Sequence, residues 1–202
     1  MQVLIFSDLH SFDKNNLNHL KENYDICIFL GDIKSSTLKY IITNIKAVPI
    51  YAILGNHDDN TVFLSVNNYL KQLNKYHMYN GYYLINFNLQ KYNFGDYTFT
   101  GIEGAEKYKN NQPGYTQEES IALQIPEADI LFSHDTGYNY MKNNHHHGLL
   151  GINNYIQNKQ PQFHIFGHYH VNTFLKKEKT NCYCVYGCSI FEPETNTMIN
   201  IF

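Results

Sequence analysis

Short apolar runs alternate with segments of helical period through the first half of the chain. Val3-Phe6, Ile26-Leu30 and Ile50-Leu54 are nearly unbroken apolar runs, the pattern of strands buried on both faces. Between and after them, the stretches near Lys14-Glu22, Ser35-Ile45 and Asn60-Leu73 repeat apolar residues at helical spacing. This βαβαβ order predicts a parallel sheet with helices on its faces. From Tyr76 to Gly101 the period shortens to that of a strand. Tyr, Phe and Thr alternate there around Asn80-Gly81 and Asn93-Phe94-Gly95-Asp96, which predicts antiparallel hairpins.

The segment Ala105-Glu119 is polar and contains Pro113-Gly114, so it reads as a surface loop and a candidate lid, followed by a short helix. Asp129-Phe132 and Phe163-Phe166 are strands, with a helix over Leu149-Asn158 between them. The tail, Val171 to Phe202, alternates as two or three further strands, expected to pair in a second sheet. No internal repeat and no linker divides the chain, so residues 1–202 are expected to form one domain.

Five apolar runs end directly in clusters of metal-competent residues: Ser7-Asp8-Leu9-His10, Gly31-Asp32, Gly55-Asn56-His57-Asp58, Ser133-His134-Asp135 and Gly167-His168-Tyr169-His170. In open α/β sheets ligands bind beyond the carboxyl ends of the strands, so five such clusters point to one site. In Asp8-x-His10 and His168-x-His170 an extended backbone turns both ligands the same way. Gly31, Gly55 and Gly167 precede their ligands, where a missing Cβ permits close backbone approach. Carboxylate, imidazole and amide ligands without thiolate suit borderline ions such as Mn, Fe, Co or Zn.

Composition changes this picture at one point. All fifteen basic residues are Lys and the net charge is −3, so no arginine fork exists for phosphate and no basic field predicts nucleic-acid or membrane binding. Two divalent ions would bring about +4 against the −2 of Asp8 and Asp32, a positive pocket that attracts phosphate without arginine.

The ordered set Asp8-x-His10, Gly31-Asp32, Gly55-Asn56-His57-Asp58, His134 and Gly167-His168-x-His170 resembles the calcineurin-like metallophosphoesterases, over residues 8 to 170. The resemblance implies a four-layer αββα sandwich, two mixed β-sheets face to face with helices outside. It also implies one metal held by Asp8, His10, Asp32 and His170 and another by Asp32, Asn56, His134 and His168, with Asp32 shared. The ions would be divalent, Mn²⁺ first, with Fe, Zn, Co or Ni as alternatives. In such centres, two ions about 3.5–4 Å apart activate water and stabilise charge during in-line attack on phosphorus. His57 would stand near the leaving oxygen as general acid. Unlike the protein-phosphatase branch, Ile33-Lys34-Ser35-Ser36 follows Asp32 and Asp58 closes the third motif. Asp58 is therefore either the partner that orients His57 or a loop cap.

The expected activity is that of a phosphodiesterase acting on a small phosphate ester or nucleotide, with a nuclease on single-stranded nucleic acid as the close alternative. A non-catalytic protein-binding scaffold is the rival from another class, since the scaffold subunit of the retromer coat resembles this fold. Sequestration of metal without turnover is a third reading. The polar loop His145-His146-His147 reads as solvated, the alternative being a substrate-facing role for one histidine. His164 alternates away from the site and reads as structural, and His19 and His77 read as surface residues. Lys107 and Lys109 read as solvated charges that could alternatively hold phosphate, and the tyrosine-rich hairpins read as packing. Cys182 and Cys184 share one strand face, and with Cys27 and Cys188 they read as reduced thiols. No apolar run approaches a membrane span and the N-terminal run lacks the features of a signal peptide, so a cytoplasmic protein is expected.

Overall fold

The computed structural model describes residues 1–20, 23–45, 49–73, 83–109, 111–141 and 146–202. The expected turn at Asn80-Gly81, and the expectations for His77, for His145 and for the side chain of His19, lie outside the described residues.

Strand β1 (Val3–Ser7) leads through a 3₁₀ helix over Lys14–His19 to β2 (Ile26–Phe29), α1 (Ser35–Asn44), β3 (Ile50–Ala52), α2 (Val62–Leu73) and the short β4 (Ile85–Asn86). β5 (Lys91–Phe94) and β6 (Tyr97–Ile102) form the expected hairpin around Gly95-Asp96. β7 (Ala105–Glu106) and β8 (Gly114–Tyr115) pair with each other, and α3 (Gln117–Ile121) follows. Then come β9 (Ile130–Ser133), α4 (Leu150–Lys159), β10 (Phe163–Phe166), β11 (Thr173–Lys177), β12 (Thr180–Cys184), β13 (Gly187–Glu192) and β14 (Thr197–Asn200).

These strands build two mixed sheets, one ordered β14-β13-β1-β2-β3-β4 and the other β11-β12-β10-β9-β6-β5. Alternation explains the layers. Val3 and Ile5 of β1, with Ile26 and Ile28 of β2, face Phe99, Ile130, Phe132, Phe163 and Ile165 of the other sheet in one buried cluster. Leu4, Phe6, Cys27 and Phe29 point the opposite way, against Leu38, Ile41 and Ile42 of α1 and Val62, Val66 and Leu70 of α2. On the far side, Ile152, Tyr155 and Ile156 of α4 cover Ile102 and Leu131. Both faces of the central strands are thus buried, which is why their sequences are unbroken apolar runs.

Three expectations need correction. In place of the helix expected near Lys14-Glu22, the described residues form a six-residue 3₁₀ helix over Lys14–His19, begun by Asp13, whose Oδ1 accepts from the Asn15 amide at 2.9 Å. Asn15, Asn16 and Asn18 compete with a helix for backbone partners. The tail holds four strands, and only β11 and β12 join the second sheet. β13 runs antiparallel beside β1, with Val3 opposite Phe191, and β14 beside β13, so the chain returns to cover the edge of β1. The described residues of the polar segment also form more regular structure than expected. The β7-β8 pair holds it, the Glu106 amide donates to Asp135 Oδ2 at 3.1 Å, and Thr116 and Glu119 form a capping box at α3.

Candidate metal centre

The five motif segments lie at the carboxyl ends of β1, β2 and β3 in one sheet and β9 and β10 in the other. Hydrogen bonds stitch the two sheets together there: His168 N–H donates to Asp8 Oδ2 at 2.8 Å, and Gly104 N–H to Leu54 O at 2.7 Å. Two groups of ligand atoms result. Asp8, His10 and His170 form one, and Asp32, His134 and His168 the other, with the atoms of each group within 4.8 Å of one another. Asp32 Oδ2 reaches both, 3.8 Å from His10 Nε2 and 3.6 Å from His134 Nε2. Asn56 Oδ1 joins the second group, 3.0 Å from His134 Nε2. All seven expected ligands therefore converge. His57 is exposed at the rim, its ring 5.9 Å from that of His10, and its backbone N–H donates to Asp32 Oδ1 at 2.8 Å.

The backbone at this site is strained. Asp8, Asp32, His168 and His170 have φ of +57°, +55°, +71° and +52°, each costing about 1–2 kcal/mol in a residue with a Cβ. Two glycines allow the close approach. A Cβ on Gly31, whose φ is +97°, would collide with the Gly55 backbone, and a Cβ on Gly55 would collide with the Asp32 carboxylate. Gly55→Ala is expected to leave the fold largely intact and displace Asp32, read as loss of metal uptake in a titration. Uptake equal to the parent would contradict the tight packing.

Asp58 resolves its two readings in favour of the loop. Its Oδ2 accepts from the amides of Asp32 at 2.8 Å and Gly55 at 2.7 Å, and its Oδ1 from Ile33 at 3.0 Å. It thereby clasps the turns after β2 and β3 to each other. Asp58→Ala leaves three amides without this acceptor, and a loss of about 3 kcal/mol follows, roughly 6–12 °C in melting temperature. A melting temperature within a degree of the parent would refute the clasp.

Electrostatics favour a cation. Burial works against charge on Asp32, yet the neighbouring His134 charge and hydrogen bond, with the His57 amide, hold its carboxyl well below the usual range. Burial likewise works against a charged His134, but Asp32 and then Asp8 outweigh it and push the imidazole up to about 10. Burial, and then the charge of His134, drive the adjacent His168 down to about 3. One proton on His134 thus partly neutralises a buried carboxylate pair. A bound ion would do so more fully, and Asp8 Oδ1 is buried without a hydrogen-bond partner, an acceptor facing His170 Nε2 at 3.5 Å. His134 Nδ1 lies 2.8 Å from Leu30 O, which fixes that ring with Nε2 toward Asn56 and Asp32. The donor set and its one orphaned acceptor fit divalent ions.

The family profile of the calcineurin-like phosphoesterase superfamily domain matches residues 1–198. The chain belongs to this superfamily. Among solved structures, the protein TT1561 of Thermus thermophilus is 12% identical, with TM-score 0.65 over 100% of this chain and 99% of its own. A novel archaeal phosphodiesterase is 17% identical, with TM-score 0.58 over 98% and 97%. Phosphopantetheinyl hydrolase from Mycobacterium tuberculosis is 10% identical, with TM-score 0.57 over 92% and 89%. At these identities the likeness is one of fold. No curated protein matches the chain in sequence.

In this phosphoesterase chain, other residues singled out in the sequence lie outside the two ligand groups. His164 is buried, with Nε2 2.7 Å from Ser133 Oγ, and takes no part in either ligand group. Lys107 pairs with Glu119 at 3.0 Å. Sequence reasoning missed Tyr108, whose exposed hydroxyl accepts from Asn56 Nδ2 at 3.4 Å, and Tyr186, whose ring stands 5.2 Å from that of His170. Neither carries a motif. All four cysteines are free and buried, and among the described residues no helix is long and apolar enough to cross a membrane.

Proposed function

We propose that this chain is a metal-dependent phosphodiesterase that hydrolyses a small phosphate ester or nucleotide, with residues 1–202 as one domain in the cytoplasm. Asp8, His10, Asp32 and His170 hold one divalent ion, and Asp32, Asn56, His134 and His168 the other. The carrying observation is the pair of adjacent ligand groups with the Asp32 carboxylate between them. Mn²⁺ is the first candidate metal, with Fe, Zn, Co or Ni as alternatives, since the carboxylate and amide oxygens suit Mn and the imidazoles accept any of these ions. When bound, such ions supply positive charge to the phosphoryl oxygens and acidify water for attack on phosphorus.

The chain's own residues supply the rest. A cavity of about 320 Å³ lies beside the ligand groups, lined among others by His10, Asp32, Lys34, Ser35, His57 and Thr61. Its size fits a small leaving group rather than a docked protein surface. His57 stands on its wall, and its ring donates a proton to the departing oxygen. The Lys34 ammonium contributes charge toward an anionic substrate. Asp32 holds His57 from behind through the backbone amide.

Hydrolysis of cyclic nucleotides, bis-nitrophenyl phosphate, phosphate monoesters and single-stranded DNA, with Mn²⁺, Fe²⁺, Zn²⁺ and Mg²⁺ supplied separately, tests this reading. Small diesters with Mn²⁺ are expected to turn over fastest. Preference for DNA would favour the nuclease, and failure on the whole panel would favour a scaffold.

A further inference from the structure

His146 is the one described member of the triple-histidine run with a place at the centre. Its Nδ1 lies 3.1 Å from His168 Nε2, and the two rings meet edge to face with centroids 4.4 Å apart. Its position is built from both sides. The Tyr169 hydroxyl, one residue from His168 and His170, donates to His146 O at 3.2 Å. On the other side the Asn139 amide donates to His147 O at 2.6 Å and the Leu149 amide to Thr136 O at 2.8 Å, tying the segment to the chain just after His134. His146 is half-buried, and the Tyr169 ring stands 6.0 Å from its own.

The arrangement parallels the one at His134. There, one ring nitrogen is held by Leu30 O while the other faces the site. At His168, Nε2 lies against a nitrogen of another imidazole. Were Nε2 to donate to His146 Nδ1, the lone pair left to His168 for a cation would be on Nδ1.

We propose that His146 is a positioning residue of the second ligand group, fixing the ring of His168 for the ion that Asp32, Asn56 and His134 share. The proposal rests on the two-ion reading above. Partners that orient a metal-bound histidine typically change metal affinity 10- to 100-fold when removed. The effect is expected on one ion, because the contact His146 makes is with His168, a member of the second ligand group.

The test is calorimetric titration of Mn²⁺ into the apoprotein and its variants, with the melting temperature measured alongside. The parent is expected to take up two ions. His146→Ala is expected to weaken one of them about 10- to 100-fold and leave the other and the fold unchanged. His146→Asn, whose Oδ1 can accept in place of Nδ1, is expected to recover most of that loss. Unchanged affinities in His146→Ala, equal weakening of both ions, or no recovery in His146→Asn would each overturn the assignment. A parent that binds fewer than two ions would overturn the two-ion reading itself, and this assignment with it.

Discussion

Asp32→Ala is expected to lose both ions and to reduce hydrolysis by about 10⁴-fold or more, equivalent to roughly 5.5 kcal/mol of transition-state stabilisation. The size of the effect follows from position. Asp32 Oδ2 lies between His10 Nε2 and His134 Nε2, so its removal opens both ligand groups. Its other oxygen accepts the His57 amide, so the wall of the cavity loosens as well. Because Asp32 sits at φ +55°, where Asn is tolerated better than Ala, Asp32→Asn is the companion variant. It adds less backbone strain than Ala and keeps an acceptor for the His57 amide while removing the charge. Elemental analysis should find less than one ion per chain in both. Two tightly bound ions in either would contradict the shared role.

His57→Ala is expected to keep both ions and slow turnover by about 10² or more, since general acid catalysis contributes roughly 10²–10⁴-fold. His57 contributes no atom to either ligand group and is exposed, so stability and metal content should not move. The loss should depend on the leaving group. Alkoxide leaving groups need the proton, whereas nitrophenolate departs with little help, so the defect should shrink with activated esters. An unchanged rate on an alkyl diester, or an equal loss on both kinds, would remove the proposed role.

The convergence of the seven motif residues was legible because they follow apolar runs whose strand character is plain. Period-two burial on both faces forced Val3-Phe6, Ile26-Leu30 and Phe163-Phe166 into central strands, and chain direction did the rest by gathering their carboxyl ends. The tail was harder for a physical reason. Alternation in Gly187–Glu192 and Thr197–Asn200 marks strands without naming partners, and pairing with β1 depends on a return of nearly the whole chain length. Likewise Asp58 shows in sequence only as the residue after His57. Its work on the amides of Asp32, Ile33 and Gly55 depends on two turns meeting in space. His146 stood in a run of three identical residues, and nothing local marks it as reaching His168. Tyr108 reaches Asn56 from the segment that follows β7, a meeting in space that the sequence does not mark.

The most direct test of the account is a crystal grown with Mn²⁺ and measured for anomalous scattering. Two peaks are predicted about 3.5–4 Å apart, one among Asp8, His10 and His170, the other among Asn56, His134 and His168, with the Asp32 carboxylate touching both. A single peak, or none within reach of Asp32, would contradict it.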